Sequence, residues 1–171
     1  MFADLIRLEL LIKYGGSWID ATVYLSDGNY PKEYLDPDYF MFQYRRPETD
    51  RYLGISNWFI TPEANNAVFK TLRDMLYAYW RDFNCVLEYF IFHRFMDMIA
   101  TQRPDVFLTM PYGYSPYSHT LLRHWYESFE QDKWDRFISH VHFHKLAHQE
   151  DERLSEVGDS YYNYILKKEL M

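Results

Sequence analysis

The stretch at residues 4–25, DLIRLELLIKYGGSWIDATVYL, decides how the chain is read. Asp4 and Arg7 stand three apart, so a helix puts them on one face. Leu11 and Tyr14 continue that face, and Glu9 and Lys13 form an i,i+4 pair on the opposite side. Gly15 and Gly16 supply the positive φ that ends a helix at little steric cost. From Trp18 onward the residues alternate. Ile19, Ala21, Val23 and Leu25 fall on one side; Trp18, Asp20, Thr22 and Tyr24 fall on the other, which is the period of a strand. The segment therefore reads as a helix over 2–14, a paired-glycine break and a strand over 18–25. It brings a carboxylate, a guanidinium and a second carboxylate to one corner. Periodicity alone also allows a plain packed helix–turn–strand holding one ion pair.

Outward from this corner, Asp27-Gly28-Asn29 reads as a turn, 31–37 as irregular with one helical turn, and 39–44 as a short aromatic strand. A polar loop over 45–51 precedes a strand over 55–60. Thr61 then suits a helix cap, Pro62 the first helical position and Glu63 the positive helix end, with the helix running to about Trp80. Asn84 is placed to cap a second helix over 85–100. Residues 104–116 read as loop with a short strand at 106–109. Helices over 118–129 and 132–139, a strand over 141–146 and a last helix over 159–170 complete the chain. This mixture predicts α/β or α+β in one compact unit.

Composition narrows the function classes. The 171 residues fit one domain and bury a real core. Aromatics make up 20%, with 17 Tyr and 13 Phe, enough for a bulky core and for ring faces to spare along a binding cleft. A net charge of −7 without a basic block argues against nucleic-acid binding. The single cysteine, Cys85, excludes an internal disulfide, fits a reducing compartment and reads as a small apolar packing residue. No apolar run of about 18 residues is present, and the start lacks the layout of a signal peptide. The expected location is cytoplasmic, with a peripheral position at the inner face of the membrane as the alternative.

The opening motif resembles the donor-sugar motif of GT-A glycosyltransferases, closest to bacterial capsular polysaccharide synthesis proteins and the related glycosyltransferase family 32. The residues that carry the likeness are Asp4-Leu5-Ile6-Arg7, Lys13-Tyr14-Gly15-Gly16 and Trp18-Ile19-Asp20-Ala21-Thr22-Val23. Asn57-Trp58-Phe59-Ile60, Glu88-Tyr89-Phe90-Ile91-Phe92-His93 and Lys145-Leu146 extend it over most of the chain. The resemblance implies an α/β, GT-A-like mixed sheet flanked by helices. Only three residues precede Asp4, so residues 1–171 are expected to be a single domain forming the C-terminal portion of such an N-terminally truncated domain. It implies transfer of a sugar from a nucleotide-diphosphate sugar to a glycan or lipid-linked saccharide, with retention of configuration, in capsular or cell-surface polysaccharide biosynthesis. A non-catalytic carbohydrate-binding remnant is the alternative. Asp20-Ala21-Thr22-Val23 also faintly echoes phosphatases that attack with a strand-end Asp, but those need a further Asp where Thr22 stands.

The same resemblance assigns roles. Asp20 is the first catalytic and metal candidate, holding Mn²⁺ or Mg²⁺ against the donor diphosphate. Thr22 in place of a second Asp weakens the metal set, because hard cations prefer charged oxygen. Asp4, Arg7, Tyr14, Gly16, Trp18 and Thr22 fall on the donor-sugar side; Asn57, Trp58 and Tyr89 fall on the acceptor side. Tyr89, His93 and Asp97 recur at i,i+4, so His93 is a second catalytic candidate with Asp97 to orient its ring; a satisfied packing histidine is the plainer reading. His140, His142 and His144 would point one way in a strand. That spacing suits transition metals, though a solvated His-rich strand end has the same pattern. By resemblance, His144 or His148 would join Asp20 as a metal ligand.

Overall fold

The computed structural model describes residues 2–26, 31–35, 38–45, 54–85, 87–147 and 158–169. They fall into two compact units, Met1–Asp20 with Pro31–Ser115, and Ala21–Tyr30 with Pro116–Met171. Each unit has its own apolar core.

The first unit opens with α1 (Phe2–Tyr14). Leu8, Leu11 and Ile12 turn into the core beside Phe69, Leu72, Phe92 and Met96. Glu9 accepts from the Tyr77 hydroxyl at 3.1 Å and lies 3.8 Å from Arg73, while the Lys13 ammonium sits over the Tyr14 ring at 4.8 Å. The helix ends on Gly15 and Gly16, at φ +66° and +80°. The amide of Asn65 donates to the Ile12 carbonyl at 2.8 Å, so the turn before the next helix seats directly on the end of α1. A Cβ at Gly15 would stand 2.9 Å from the Ala64 nitrogen, whereas one at Gly16 would meet nothing within 4 Å.

The strand expected over 18–25 is broken. β1 covers only Trp18–Ile19, and after a turn at Ala21 and Thr22 the chain resumes as β2 (Val23–Leu25) in the second unit. Residue alternation ran unbroken across the turn, but pairing is set by distant partners. β1 pairs with β4 (Ile55–Pro62), and β2 pairs with β5 (Phe143–Lys145). β3 (Tyr39–Gln43) completes an antiparallel sheet in the order β1-β4-β3. Met41 faces Ile60 but Gln43 faces Ile55, so β4 carries extra residues between those pairs. β3 is buried on both faces: Tyr39 and Met41 join the main core, while Phe40 and Phe42 meet Phe59, and Phe42 stacks on Trp58 at 4.5 Å. The short α2 (Lys32–Leu35) adds Tyr34, stacked on Phe40 at 4.3 Å.

Three further expectations shift. Thr61 and Pro62 stay in β4, and α3 (Ala67–Asp82) starts later, capped by Asn66, whose side-chain oxygen accepts from the amides of Val68 and Phe69 at 3.0 and 3.4 Å. α4 (Ile91–Gln102) begins at Ile91 rather than near Cys85. The Tyr79 hydroxyl donates to the Cys85 carbonyl and accepts from the Leu87 amide, both at 2.9 Å, and so holds that segment as a loop. Residues 104–108 form α5 (Pro104–Leu108) instead of a strand, with proline at the first helical position, where its missing N–H is harmless.

In the second unit, β2 and β5 form an antiparallel ribbon. α6 (Ser115–Ser118) spans the boundary in sequence and precedes α7 (Thr120–Arg123), two short turns where one helix was expected. α8 (Gln131–His140) and α9 (Tyr161–Glu169) follow, and Tyr24, Leu121, Trp125, Trp134, Tyr161 and Ile165 form the core. His140 ends α8 and only His144 lies in β5, so the three alternating histidines do not share a strand. The described chain is thus mixed α/β, with two small antiparallel sheets. Among the described residues no helix is long and apolar enough to cross a membrane. The 27–29 turn and most of the 45–51 loop lie outside the described residues.

Gly15→Ala should lower the unfolding free energy by about 2–4 kcal/mol, from left-handed strain plus the close backbone approach. Gly16→Ala, with strain alone, should cost about 1–2 kcal/mol. Urea denaturation of both variants checks this; equal losses would mean that the seating of α1 on the Ala64 turn contributes nothing.

Candidate functional site

α1 aims Asp4 and Arg7 at β4, and both are buried. Arg7 Nη1 donates to the Asn57 carbonyl. Nη2 lies 3.6 Å from Asp20 Oδ1, and Nε lies 3.7 Å from Asp4 Oδ1. The guanidinium carbon is 5.0 Å from the centre of the Trp18 ring, a cation–π distance. Trp18 in turn donates its indole N–H to Asp20 at 2.9 Å, and the Asp20 amide donates to the Trp58 carbonyl at 2.9 Å. The Asn57 amide closes the set by donating to Asp4 Oδ1 at 3.2 Å. Next to it, the hydroxyls of Ser17 and Thr61 lie 2.8 Å apart.

The local folding explains this convergence. β1 ends at Ile19, so the Asp20 carboxylate stands just past a strand end. Asn57 lies in the stretch where β4 slips against β3, between the Met41–Ile60 and Gln43–Ile55 pairs. A bulge takes residues out of the regular ladder and re-aims them. The Asn57 carbonyl is thereby available to Arg7 and its side chain to Asp4.

Two buried polar atoms here have no hydrogen-bond partner among the described residues: Arg7 Nε and His93 Nδ1. His93, in α4, has its pKa pushed below the ordinary 6.5, first by burial, with Asp4 pulling it up and Arg7 and Arg94 pushing it further down. The ring therefore lies within electrostatic reach of Asp4 and Arg7, and its depressed pKa keeps it neutral at pH 7. Buried polar atoms without partners are costly in a folded core, and each calls for an explanation such as a polar ligand.

The other expected site residues are placed differently. Tyr14 is exposed at the end of α1, and Gly16 is exposed in the corner. Thr22 belongs to the second unit, where its hydroxyl accepts from the Lys145 ammonium and its carbonyl from the Leu146 amide at 2.8 Å. Trp58 is buried in the aromatic cluster on Phe42. Tyr89 precedes α4, is highly exposed and meets Phe90 edge-on at 5.0 Å; it does not share a helical face with His93. Asp97 accepts from the Gly54 amide at 3.2 Å. Cys85, expected to pack, is exposed. His144 is fully buried in the β2–β5 ribbon, its ring 6.1 Å from Tyr24. His148 lies outside the described residues.

Asn57 was read for the acceptor side, yet its contacts are with Asp4 and Arg7. No local sequence signal could reveal that link, since the partners are 53 and 50 residues away. Among the described residues no group of three or more His, Cys, Asp or Glu gathers where a metal ion could be held. Two clefts, of about 400 Å³ beside Met75 and Met98 and about 480 Å³ beside Trp125 and Tyr162, are not lined by Asp4, Arg7 or Asp20.

A family described as "Capsular polysaccharide synthesis protein" matches residues 1–165. No curated protein and no solved structure matches the chain.

The state of His93 has a pH signature. Its folded pKa is depressed, so the unfolded chain binds more protons between that value and 6.5, and stability rises with pH through that window. The unfolding free energy should therefore fall as pH is lowered from 6.5, and this slope should flatten in His93→Gln. Urea midpoints between pH 5 and 7 measure it; identical slopes would mean that His93 is not held neutral.

Proposed function

The chain belongs to the family of capsular polysaccharide synthesis proteins, and on that premise we propose that it transfers a sugar from a nucleotide-diphosphate donor to a glycan or lipid-linked saccharide, with a GT-A fold as the expected scaffold. The observation that carries this reading is the convergence on Arg7 of Asp4, Asp20, Asn57 and Trp18. Sugar transfer needs a carboxylate to accept from donor hydroxyls and a cation for the developing phosphate charge. Asp4 serves the first need; the Arg7 fork serves the second. Arg7 Nε–H, with no hydrogen-bond partner among the described residues, is a donor suited to a ligand oxygen. His93 is neutral at pH 7, and in the tautomer protonated on Nε2 its Nδ1 takes a proton from an acceptor hydroxyl. No strong protein nucleophile is required, because positioning and charge stabilisation supply most of the rate.

Asp20 fits Mn²⁺ or Mg²⁺ as a single protein carboxylate, since such ions complete their shell with waters and phosphate oxygens. When bound, the ion would stabilise negative charge on the departing diphosphate. Thr22 and His144 make their described contacts in the second unit, so this reading rests the metal on Asp20 alone.

Asp20→Asn tests the reading, because the carboxylate is partly exposed and the exchange keeps its shape. With a panel of UDP- and GDP-sugars and Mn²⁺, the wild-type chain should hydrolyse or transfer from at least one donor. The variant should lose about 100-fold or more in rate with an unchanged circular dichroism spectrum. EDTA should abolish the wild-type rate and added Mn²⁺ restore it. Undiminished turnover in Asp20→Asn would reject the assignment; donor binding without turnover in the wild type would point instead to a carbohydrate-binding remnant.

A further inference from the structure

We infer that the loop between α3 and α4 docks the first unit onto the uncharged interface of a lipid bilayer. Phe83, Leu87, Tyr89 and Phe90 are 46%, 65%, 80% and 51% exposed, all within eight residues. A solvated loop is ordinarily polar, so this concentration of large apolar side chains marks an interaction surface. The loop's described residues are held in place: the Tyr79 hydroxyl ties the Cys85 carbonyl and the Leu87 amide, and the Tyr79 ring stacks on Phe83 at 5.1 Å. That anchoring fixes Cys85 and Leu87 while Phe83, Leu87, Tyr89 and Phe90 stay exposed.

Size and charge choose the occupant. At roughly 200 Å² per large side chain, the four residues expose roughly 500 Å². A stable protein interface needs about 800 Å² per partner, so the patch is too small to hold a second copy of this acidic chain. The charges that flank it cancel locally, Arg81 on Asp82 at 2.9 Å and Arg94 on Glu88 at 2.9 Å. A patch with no net charge has no complement in an acidic or basic macromolecule. It matches the bilayer interface, where Tyr and Phe rings settle between headgroups and chains. The loop also borders the candidate site: the Phe90 ring meets His93 at 5.2 Å, and His93 feels Asp4 and Arg7. On the transferase reading proposed above, a lipid-linked acceptor would thus be delivered beside those residues.

Flotation with phosphatidylcholine vesicles, without any donor, tests the docking. Wild-type protein should float with the vesicles, and 0.5 M salt should leave binding within about twofold, because charge screening does not touch an apolar contact. Leu87→Asp with Tyr89→Asp should cut partitioning at least tenfold at unchanged circular dichroism. Labelling the single, exposed Cys85 with a polarity-sensitive fluorophore reads the same contact in the unmutated chain, and its emission should shift to the blue on adding vesicles. No flotation, equal flotation of the double variant, no emission shift, or binding confined to anionic vesicles and lost in salt would each overturn the inference. So would a wild-type dimer that the double variant dissolves without any vesicle binding. The readout uses no nucleotide sugar, so its failure would leave the transferase reading standing.

Discussion

One guanidinium organises the first unit. Arg7 is buried, and it touches a carboxylate on its own helix, a carboxylate at the end of β1, a carbonyl in β4 and the face of an indole. A lone buried cation would be strongly unfavourable, so these partners are obligatory once Arg7 is inside. Their geometry then fixes where α1 lies on the sheet. Such a cluster is a poor device for stability alone, since apolar residues of the same volume often do as well or better. What it supplies is a set of charges and hydrogen-bond donors held at defined positions.

The surroundings serve that placement. The paired glycines let α1 end against the Ala64 turn, which sets the depth of the helix. The slip in β4 turns Asn57 out of the ladder toward Asp4 and Arg7. The break after Asp20 leaves its carboxylate at a strand end and sends the following residues into the second unit. His93, on α4, lies within electrostatic reach of Asp4 and Arg7.

Much of this was legible in the sequence, and the reasons for the rest are physical. The helix over 2–14, the glycine stop and the Asp4–Arg7 face follow from local periodicity and φ preference, and the structure has them. The mixture of helices and short strands was likewise readable. Strand extent was not: alternation from Trp18 to Leu25 continues through a turn, because partners far along the chain decide pairing. Pro62 looked like a helix start, but Asn66 has the side chain that accepts from two helix amides, and the preceding residues stay in the strand. The loop held by Tyr79 looked helical because nothing local announces a phenol bonded to backbone eight residues on. Asn57 illustrates the same limit, since its partners lie 50 and 53 residues away.

The organising role of Arg7 depends most directly on its coupling to Asp20. A double-mutant cycle with Arg7→Leu, Asp20→Asn and both together, read as unfolding free energy in urea, measures it. An interaction energy of about 1 kcal/mol or more is the expected result. Losses that add to within about 0.3 kcal/mol would mean that the two charges do not act together, and the organising role given to Arg7 would be wrong.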